Sequence, residues 1–496
     1  MKTTKLLLLI SCLASGKLCA QHNDANWPFG FHEYPGNSAY GNGMVHFLPD
    51  TAITSSTPWN VNFESTVAAL SDAEGNLLFA SNGCVVLTAQ GDTMEAFFSN
   101  ELNSGAVSDL TCSDYGYPAP NSMIALPRPG RDSQYMLFYT PVKYTPEQKW
   151  QYSNLLFYSV IDMSANHGDG LLLPWNNLSF HSFSFSLEPF SAVRHGNGRD
   201  WWIIAPGRNT NYYFTFLISP YGIQEEYIQL GPDGNCPRTG SSAFSPDGRK
   251  FARTQNCRTV VFDFDRCTGA LSNPVEFDRP QYVFGGGGVA FSPEGDRLFV
   301  TEQLAVLSAD LTMSQPTLDT IVHAEEMIGT SLGLMQAAPN GRLYINSTHR
   351  SRYLASFKQI NSTNVDFQAK SLFLNKYSAR TLPHFPNYRL YDLSGSSCDS
   401  LGINGPVSTN AIPEKATTAQ LFPNPFQELL TVNLPAASER SSIRLSDQLG
   451  RVVLRAELLP GNTILNTEKL RPGIYFWEIS TKNHVRLSGK LIKTEN

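Results

Sequence analysis

Few residues of this chain have the types and spacing that catalysis requires. It contains no His-Glu-x-x-His zinc helix. One group that looks like a site is His195-Gly196-Asn197-Gly198-Arg199-Asp200, which places a histidine, an arginine and a carboxylate within six residues. Glycine and asparagine at this spacing are typical of a tight turn. The group therefore predicts a hairpin turn before Trp201-Trp202 and no catalytic centre.

The N-terminal segment has the layout of a secretory signal peptide. Lys2 and Lys5 precede the apolar run from Leu6 to Ile10, and Cys19-Ala20 leads into a polar stretch. We predict residues 1–20 as the signal peptide, with cleavage after Ala20 or one or two residues away. No other stretch approaches the roughly eighteen apolar residues of a spanning helix, so no membrane span is predicted.

Six cysteines remain once the two in this leader are removed: Cys84, Cys112, Cys236, Cys257, Cys267 and Cys398. An even count in an exported chain favours disulfides, and no Cys-x-x-Cys pair suggests a metal site. No metal ion or cofactor is predicted.

A turn motif recurs through the middle of the chain. Ser245-Pro246-Asp247-Gly248 is followed by Ser292-Pro293-Glu294-Gly295 and by Ala338-Pro339-Asn340-Gly341. Each copy lies between two apolar segments and predicts a hairpin. Degenerate copies occur at Gly75, Gly130 and Gly198, and Pro386-Asn387-Tyr388-Arg389 is a poor seventh candidate.

Seven hairpins at this period favour an all-β fold, a seven-bladed β-propeller of four-stranded sheets. The predicted propeller covers residues 21–390. Strand Gly43 to Phe47 precedes the first complete blade and is a candidate for the outer strand of the last one, which would leave no free sheet edge. Helical periodicity is nearly absent, in agreement with an all-β body.

The register of the blades predicts the disulfides. Cys84 and Cys257 each lie nine residues after a turn glycine, between the second and third strands of their blades. Cys112 and Cys236 precede first strands and emerge on the same face, so we predict the pairs Cys84–Cys112 and Cys236–Cys257. Cys267 lies about ten extended residues from Cys257, too far for a bond between them. Cys267 and Cys398 are left to pair or to stay free.

The starts of the first strands would meet at the propeller axis, as they do in propeller lactonases and related hydrolases. The residues there are Glu64, Asn121, Arg238, Ser331 and Arg380. One carboxylate is too few for a divalent-metal cage. We therefore predict a binding funnel formed by Glu64, Asn121, Arg238 and Arg380, beside the alternative of ordinary polar residues at a channel mouth.

The charge of the chain limits its partners. The formal net charge is −6, and residues 415–496 are basic, with 11 Lys and Arg against 7 Asp and Glu, so the body carries the excess of acid. An acidic body repels a phosphate backbone, and nucleic acid is not a predicted partner.

The C-terminal region contains a series of short motifs. From Tyr391 to Thr418 the composition is rich in Ser, Gly, Asn and Pro, which predicts a linker over residues 391–418. Short strands of alternating polarity follow, and they predict a small immunoglobulin-like β-sandwich over residues 419–496. The motif residues are Pro423, Asn424, Pro425, Gly450, Pro472, Gly473, Tyr475, Gly489 and Lys490.

These motifs resemble the type A C-terminal sorting domain of type IX secretion. The resemblance implies export through the periplasm to the cell surface or the medium, recognition by the type IX translocon and removal by its sortase-like protease. The segments Asn26 to Gly30 and Phe262 to Gly269 further resemble uncharacterised propeller cargoes of the same system.

Three functions follow as hypotheses. The first is a secreted or surface propeller that binds an unknown glycan, peptide or protein through the face that carries the loops between second and third strands. The second is a propeller hydrolase, lactonase-like or glycan-active, with an axial site. The third is a structural component of the surface coat. Binding is favoured over catalysis because no catalytic motif accompanies the axial residues.

Overall fold

The structure is a computed structural model, and the chain divides into two compact units, Met1–Gly405 and Pro406–Asn496. The predicted signal peptide and most of the predicted linker lie outside the residues that the structure describes. The described residues are 22–33, 36–96, 102, 106–114, 116–144, 151–152, 155–173, 176–179, 190–207, 210–232, 240–255, 257–279, 287–302, 304–323, 331–361, 364–401, 420–434, 441–447, 451–481 and 486–494.

The first unit is built of small sheets that follow one another along the chain. Sheet 1 contains β1 (Asn26–Phe31), β2 (Gly41–Leu48) and β3 (Thr51–Thr57), and sheet 2 contains β4 (Ala68–Ser71), β5 (Leu77–Ser81) and β6 (Val86–Thr88). Next come β7 (Glu95–Ala96), α1 (Ala106–Thr111), β8 (Met123–Pro127), β9 (Gln134–Tyr139), β10 (Lys143–Tyr144), β11 (Gln151–Tyr152), β12 (Leu155–Asp162), a short 3-10 helix (Asn166–Gly168), β13 (Leu171–Leu172) and β14 (Asn176–Ser179). Of these strands, β10 and β11 pair as a separate ribbon and the others form sheet 3.

Four sheets of four antiparallel strands follow. Sheet 4 contains β15 (Ser191–Arg194), β16 (Trp201–Pro206), β17 (Tyr212–Ser219) and β18 (Gly222–Leu230), and sheet 5 contains β19 (Ser241–Phe244), β20 (Lys250–Thr254), β21 (Arg258–Phe264) and β22 (Leu271–Asp278). Sheet 6 contains β23 (Val289–Phe291), β24 (Arg297–Glu302), β25 (Ala305–Asp310) and β26 (Leu318–His323), and sheet 7 contains β27 (Leu332–Ala337), β28 (Leu343–Ser347), β29 (Ser351–Asn361) and β30 (Asn364–Ser378).

Six of the turns predicted from the sequence join the first two strands of a hairpin. They are the turns at Gly75, Gly130, Gly198, Gly248, Gly295 and Gly341, and each of these glycines has a positive φ between 69° and 93°. A side chain with a Cβ rarely adopts this conformation, which is why glycine recurs there. We call β4, β8, β15, β19, β23 and β27, the strands that enter these turns, the leading strands.

The leading strands of consecutive sheets contact one another, as in the pairs β15 with β19, β19 with β23 and β23 with β27. Their side chains are mostly buried, whereas a later strand such as β22 is largely exposed. The apolar core of the unit therefore lies toward the leading strands, and the outer strands face solvent.

Two predictions about how the last blade of the predicted propeller is completed are wrong. Pro386-Asn387-Tyr388-Arg389 does not begin a hairpin, since the structure has no strand between Ser378 and Leu401. The residues from Gly43 to Phe47 lie in β2, the middle strand of sheet 1, and sheet 7 already has four strands of its own. The proline-rich run after residue 380 cannot donate ladder hydrogen bonds at its prolines, so it does not extend a sheet.

The second unit has two antiparallel sheets around one apolar cluster. Its strands are β31 (Gln420–Phe422), β32 (Leu429–Leu434), β33 (Ser441–Ser446), β34 (Val452–Leu458), β35 (Gly461–Asn466), β36 (Gly473–Thr481) and β37 (Arg486–Lys493). One sheet has the order β31-β32-β35 and the other β34-β33-β36-β37. Phe426, Leu430, Ile443, Tyr475 and Leu491 are buried in the shared cluster, so the alternation read from the sequence separates core from solvent positions.

Candidate functional site

Residues 380–393, here called the inner segment, contain no strand and run against the leading strands of several sheets. The backbone N–H of Phe385 donates to Gln336 Oε1 on β27 at 3.2 Å, and the Tyr388 hydroxyl donates to the carbonyl of Ala125 on β8 at 2.7 Å. Asn387 Nδ2 donates to the carbonyl of Pro246, in the turn after β19, at 2.7 Å. The inner segment therefore fills the space between sheets that are far apart in the sequence.

Aromatic and ionic contacts hold the middle of the inner segment. Tyr388 is almost fully buried, and its ring lies edge-on to Trp201 at 5.9 Å between centroids. Burial raises the pKa of Tyr388 well above its ordinary value. Arg389 donates to both carboxylate oxygens of Asp24, at 2.9 and 2.6 Å. This bidentate pair ties the N-terminal end of the body to the inner segment.

Arg266 and the Cys267–Cys398 disulfide, here called the latch, fasten the end of the inner segment. The Arg266 guanidinium donates to the main-chain carbonyls of Arg194, His195 and Tyr391. Arg266 is 3% exposed, and burial lowers its pKa to about 10. The neighbouring Cys267 is bonded to Cys398. The region predicted as a linker is thus packed against the body at least as far as Cys398.

The turn His195 to Asp200 contributes to this packing. His195 Nε2 is 3.1 Å from the Cys267 carbonyl, and Asn197 Nδ2 donates to Asp200 Oδ2 at 2.8 Å. A Cβ on Gly196 would stand 2.4 Å from Cys398 Sγ, so only glycine fits beside the disulfide. These polar groups bond one another and the latch, which matches the expectation of a turn.

Of the two disulfides predicted from the register, the described residues contain one. Cys84 is bonded to Cys112, with Cα atoms 5.9 Å apart. Cys257 is also disulfide-bonded, and Cys236, its predicted partner, lies outside the described residues. Of the two outcomes left open for Cys267 and Cys398, the structure has the pair.

A cavity of about 340 Å³ lies between the inner segment and the leading strands β15, β19, β23 and β27. Most of its wall is apolar and includes Phe244, Phe291, Met335 and Phe385. At the end nearest the hairpin turns, the lining residues Pro293 and Ala337 are exposed to solvent. The cavity therefore opens among the hairpin turns. Its size falls within the range of roughly 300–1,000 Å³ that is usual for small-molecule sites.

A chain of three polar side chains lines the opposite part of the cavity wall. His384 Nε2 lies 3.2 Å from Ser191 Oγ, and Ser191 Oγ lies 2.8 Å from Ser242 Oγ. Ser191 and Ser242 are buried, and burial lowers the pKa of His384 to about 4. His384 is consequently neutral at pH 7. The three side chains can therefore form hydrogen bonds with a ligand without carrying charge.

The predicted axial funnel is brought together only in part. Glu64 Oε1 and Arg380 Nε are 3.8 Å apart, whereas Asn121 is buried and Arg238 lies outside the described residues. None of Glu64, Asn121 and Arg380 lines the cavity. The funnel stays a prediction. Pro386, Asn387 and Arg389, which do line the cavity, belong to the seventh turn candidate, whereas His384 lies two residues before that candidate and is not among the residues predicted from the sequence. The signal in the sequence is a run with two prolines at the period of the repeat.

Ser331 lies in Gly329-Thr330-Ser331-Leu332-Gly333, which has the Gly-x-Ser-x-Gly spacing of a nucleophile elbow. That elbow requires a strand, a sharp turn and then a helix. Ser331 instead directly precedes strand β27, and its Oγ accepts a hydrogen bond from Thr348 Oγ1 at 2.6 Å. The spacing therefore does not mark a hydrolase nucleophile.

Two kinds of feature are absent from the described residues. They contain no group of three or more His, Cys, Asp and Glu side chains arranged to hold a metal ion. They also contain no helix with the length and apolar character needed to cross a membrane.

The motif residues of the second unit converge on its last strand. Phe426, after the exposed Pro423-Asn424-Pro425, exchanges backbone hydrogen bonds with Ile492 and Thr494, and Asn424 Oδ1 accepts from the Ile492 N–H at 2.9 Å. The Tyr475 hydroxyl donates to the Arg471 carbonyl at 2.6 Å and so closes the turn at Pro472-Gly473. Gly489 and Lys490 lie on β37 opposite Trp477 and Phe476, and Gly450 lies outside the described residues.

Residues 420–494 match the family model of the secretion system C-terminal sorting domain. The chain thus carries a type IX sorting domain, which indicates export to the cell surface or the extracellular space. Among curated proteins, none matches this chain in sequence.

Several solved structures are similar to the chain. A putative 6-phosphogluconolactonase from Bacteroides uniformis is 13% identical, with 71% of this chain and 97% of that chain covered and a TM-score of 0.42. PorZ, a surface component of the type IX secretion system of Porphyromonas gingivalis, is 11% identical, with 92% and 68% covered and a TM-score of 0.31. Hsv2 of Kluyveromyces lactis is 10% identical, with 69% and 98% covered and a TM-score of 0.34. At these TM-scores none of the similarities bears on activity.

Proposed function

We propose that this protein is a cargo of type IX secretion whose body is a seven-bladed β-propeller and acts by binding a small molecule at its centre. The described residues of the body form seven sheets of three or more strands. Six of these sheets contain a leading strand that enters a glycine turn. Contacts between the leading strands of neighbouring sheets agree with blades around an axis. The inner segment, which contacts leading strands of sheets 3, 4 and 7, would then occupy that axis.

The sorting domain carries the rest of this proposal. Its two sheets and shared core agree with an immunoglobulin-like sandwich. Its partners would be the type IX translocon and the sortase-like protease that removes it. The residues 402–419, outside the described part of the chain, would contain the cleavage site.

The cavity of about 340 Å³ is the single observation that favours binding at the centre. Its wall is formed by residues from both ends of the body sequence, Asp24 and the inner segment included, so it exists only in the completed fold. Largely apolar walls with a few convergent polar groups are the usual character of a small-molecule site. The binding face is then the hairpin-turn end of the body, opposite to the loop face expected from the sequence.

The test uses N-phenyl-1-naphthylamine, a neutral dye whose fluorescence rises in apolar surroundings. We expect saturable binding of one dye per full-length chain. Ala243 lines the cavity, and Ala243→Phe should abolish binding by filling it. Ala270 is exposed between β21 and β22, so Ala270→Phe, the matched control, should bind as the wild type does. Absence of saturable binding, or equal binding by both variants, would refute a central ligand site.

A hydrolase is the second candidate, and the Ser191–His384 hydrogen bond is the observation that favours it. A neutral histidine next to a serine hydroxyl has the elements of a nucleophile and its base. Labelling of the full-length protein by a fluorophosphonate, lost in Ser191→Ala and kept in Ser242→Ala, would support catalysis. No labelling at Ser191 would leave binding as the function of the cavity.

A further inference from the structure

We infer that the ligand of the central cavity is an electrically neutral, mainly apolar molecule with one hydrogen-bonding group, which the Ser191–Ser242 pair recognises. This inference rests on the proposed function, because it concerns the same cavity and specifies the chemical class of its occupant. It follows from three properties of the wall: its apolar surface, its internally neutralised charges and its single buried polar cluster.

The apolar part of the wall comes from three leading strands and the inner segment. Phe244, Phe291, Met335 and Phe385 contribute large side chains, and most of them are buried among their neighbours. A sugar or peptide would have to leave many hydroxyl or amide groups without partners against this surface, and each unpaired polar group costs about 1–3 kcal/mol. An apolar molecule gains free energy from the same contact.

The charges at the cavity are already paired within the protein. Arg389 is bound to Asp24 at 2.6 Å, and Arg342 Nη2 lies 3.2 Å from Asp366 Oδ2. A ligand carboxylate or phosphate would have to compete with these carboxylates for the two arginines. An ionised ligand group buried without its own counter-ion is strongly disfavoured. The wall therefore selects against both anions and cations.

The polar cluster supplies one point of recognition. The Ser191 and Ser242 hydroxyl oxygens are 2.8 Å apart, and both residues are buried. His384 Nε2 lies 3.2 Å from the Ser191 hydroxyl oxygen and is the third member of the cluster. Each hydroxyl oxygen has two acceptor sites and one proton, so the pair can take a further hydrogen bond from a ligand N–H or O–H. Because burial lowers the pKa of His384, the cluster stays uncharged at pH 7 and attracts no ion.

Three probes with nearly the same ring system distinguish the effect of a ligand's charge on affinity from the effect of its hydrogen-bonding group. N-phenyl-1-naphthylamine is neutral and has one N–H, 8-anilinonaphthalene-1-sulfonate adds a sulfonate to that frame, and 1-phenylnaphthalene lacks the N–H. We expect the sulfonate to bind the full-length protein at least about tenfold more weakly than the neutral amine, because its charge would be buried unpaired.

The variant Ser242→Ala tests the polar contact. It should weaken binding of the neutral amine by roughly fivefold, the worth of one neutral hydrogen bond, and leave binding of 1-phenylnaphthalene unchanged. Circular dichroism and the melting temperature would verify that the variant is folded. Ser308→Ala on β25, a buried serine outside the cavity, is the matched control and should change neither affinity.

The outcomes separate this inference from the proposed function. If the sulfonate binds as tightly as the neutral amine and Ala243→Phe blocks both, the cavity binds ligands but the neutral class is wrong. If Ser242→Ala weakens both neutral probes equally, recognition by the hydroxyl pair is wrong. If none of the probes binds in the cavity, the proposed function itself fails.

Discussion

Cys267 and Cys398 form a disulfide across 131 residues of sequence, with Cα atoms 5.4 Å apart. Arg266, directly before Cys267, donates hydrogen bonds to the carbonyl of Tyr391 and to two carbonyls at the end of β15. The last part of the body is thus fastened at the point from which the chain continues toward the sorting domain. Because the inner segment forms one side of the cavity, the latch also holds the candidate site together.

Removing the latch disulfide should destabilise the body more than removing the Cys84–Cys112 disulfide. The two bonds span 131 and 28 residues, and a cross-link that closes a longer loop restricts the unfolded chain more. We expect Cys267→Ser/Cys398→Ser to lose roughly 1 kcal/mol more than Cys84→Ser/Cys112→Ser in free energy of unfolding. Urea titration followed by tryptophan fluorescence measures this, since six of the seven tryptophans lie before residue 406. A larger loss in the Cys84 and Cys112 variant would contradict the prediction.

Arg266→Met should lower the free energy of unfolding by about 2–4 kcal/mol, because the carbonyls of Arg194, His195 and Tyr391 lose a charged donor at once. Arg249, in the turn after β19, has an exposed side chain, so Arg249→Met should stay within about 0.5 kcal/mol of the wild type. The same urea titration compares the two. Equal losses would show that Arg266 does not hold the inner segment.

The stability of the body should fall on acidification below about pH 6.5. Burial lowers the pKa of His384 from 6.5 to about 4, so between these values the unfolded chain binds a proton that the folded chain does not. Stability from this group is complete above pH 6.5 and is lost as the pH falls toward 4. Burial lowers the pKa values of His46 and His195 in the same direction, so they add to the trend.

His384→Gln should therefore reduce, without abolishing, the difference in melting temperature between pH 7.5 and pH 5. His349 is exposed after β28, and His349→Gln serves as the control that should keep the wild-type difference. A slope that is unchanged by His384→Gln would mean that His384 is not protected from protonation in the folded protein.

Deletion of residues 415–496 should retain the body in the periplasm, because these residues contain the sorting domain. Cell fractionation and immunoblotting in a type IX-competent host would locate the truncated chain beside the full-length one. Peptide mapping under non-reducing conditions should still recover the Cys267–Cys398 bond, which would show that the retained body is folded. Secretion of the truncated chain at the wild-type level would overturn the assignment of the signal.

The local features of this chain were determined by its sequence. The six hairpin turns could be predicted because each needs a glycine at a positive φ beside a short polar pair, and the spacing of those glycines was enough to indicate repeated sheets. The sorting domain could be predicted for the same reason, since its motifs are short, contiguous and close to the positions where they pack. The Cys84–Cys112 pair followed from the register of a single loop face.

The centre of the body was decided by tertiary structure alone. His384, Ser191 and Ser242 are separated by up to 193 residues, and no local pattern shows that they meet. The run from Pro383 to Arg389 has the composition of a turn. It is largely buried only because the surrounding strands pack against it. The sequence around Arg266 likewise gives no sign that its side chain bonds Tyr391, and it left open whether Cys267 pairs with Cys398, because Tyr391 and Cys398 come within reach only when the intervening sheets have formed. A turn depends on the steric preferences of adjacent residues, which can be seen in the sequence. A cavity wall depends on how sheets that are distant in the sequence pack together, which only the tertiary structure shows.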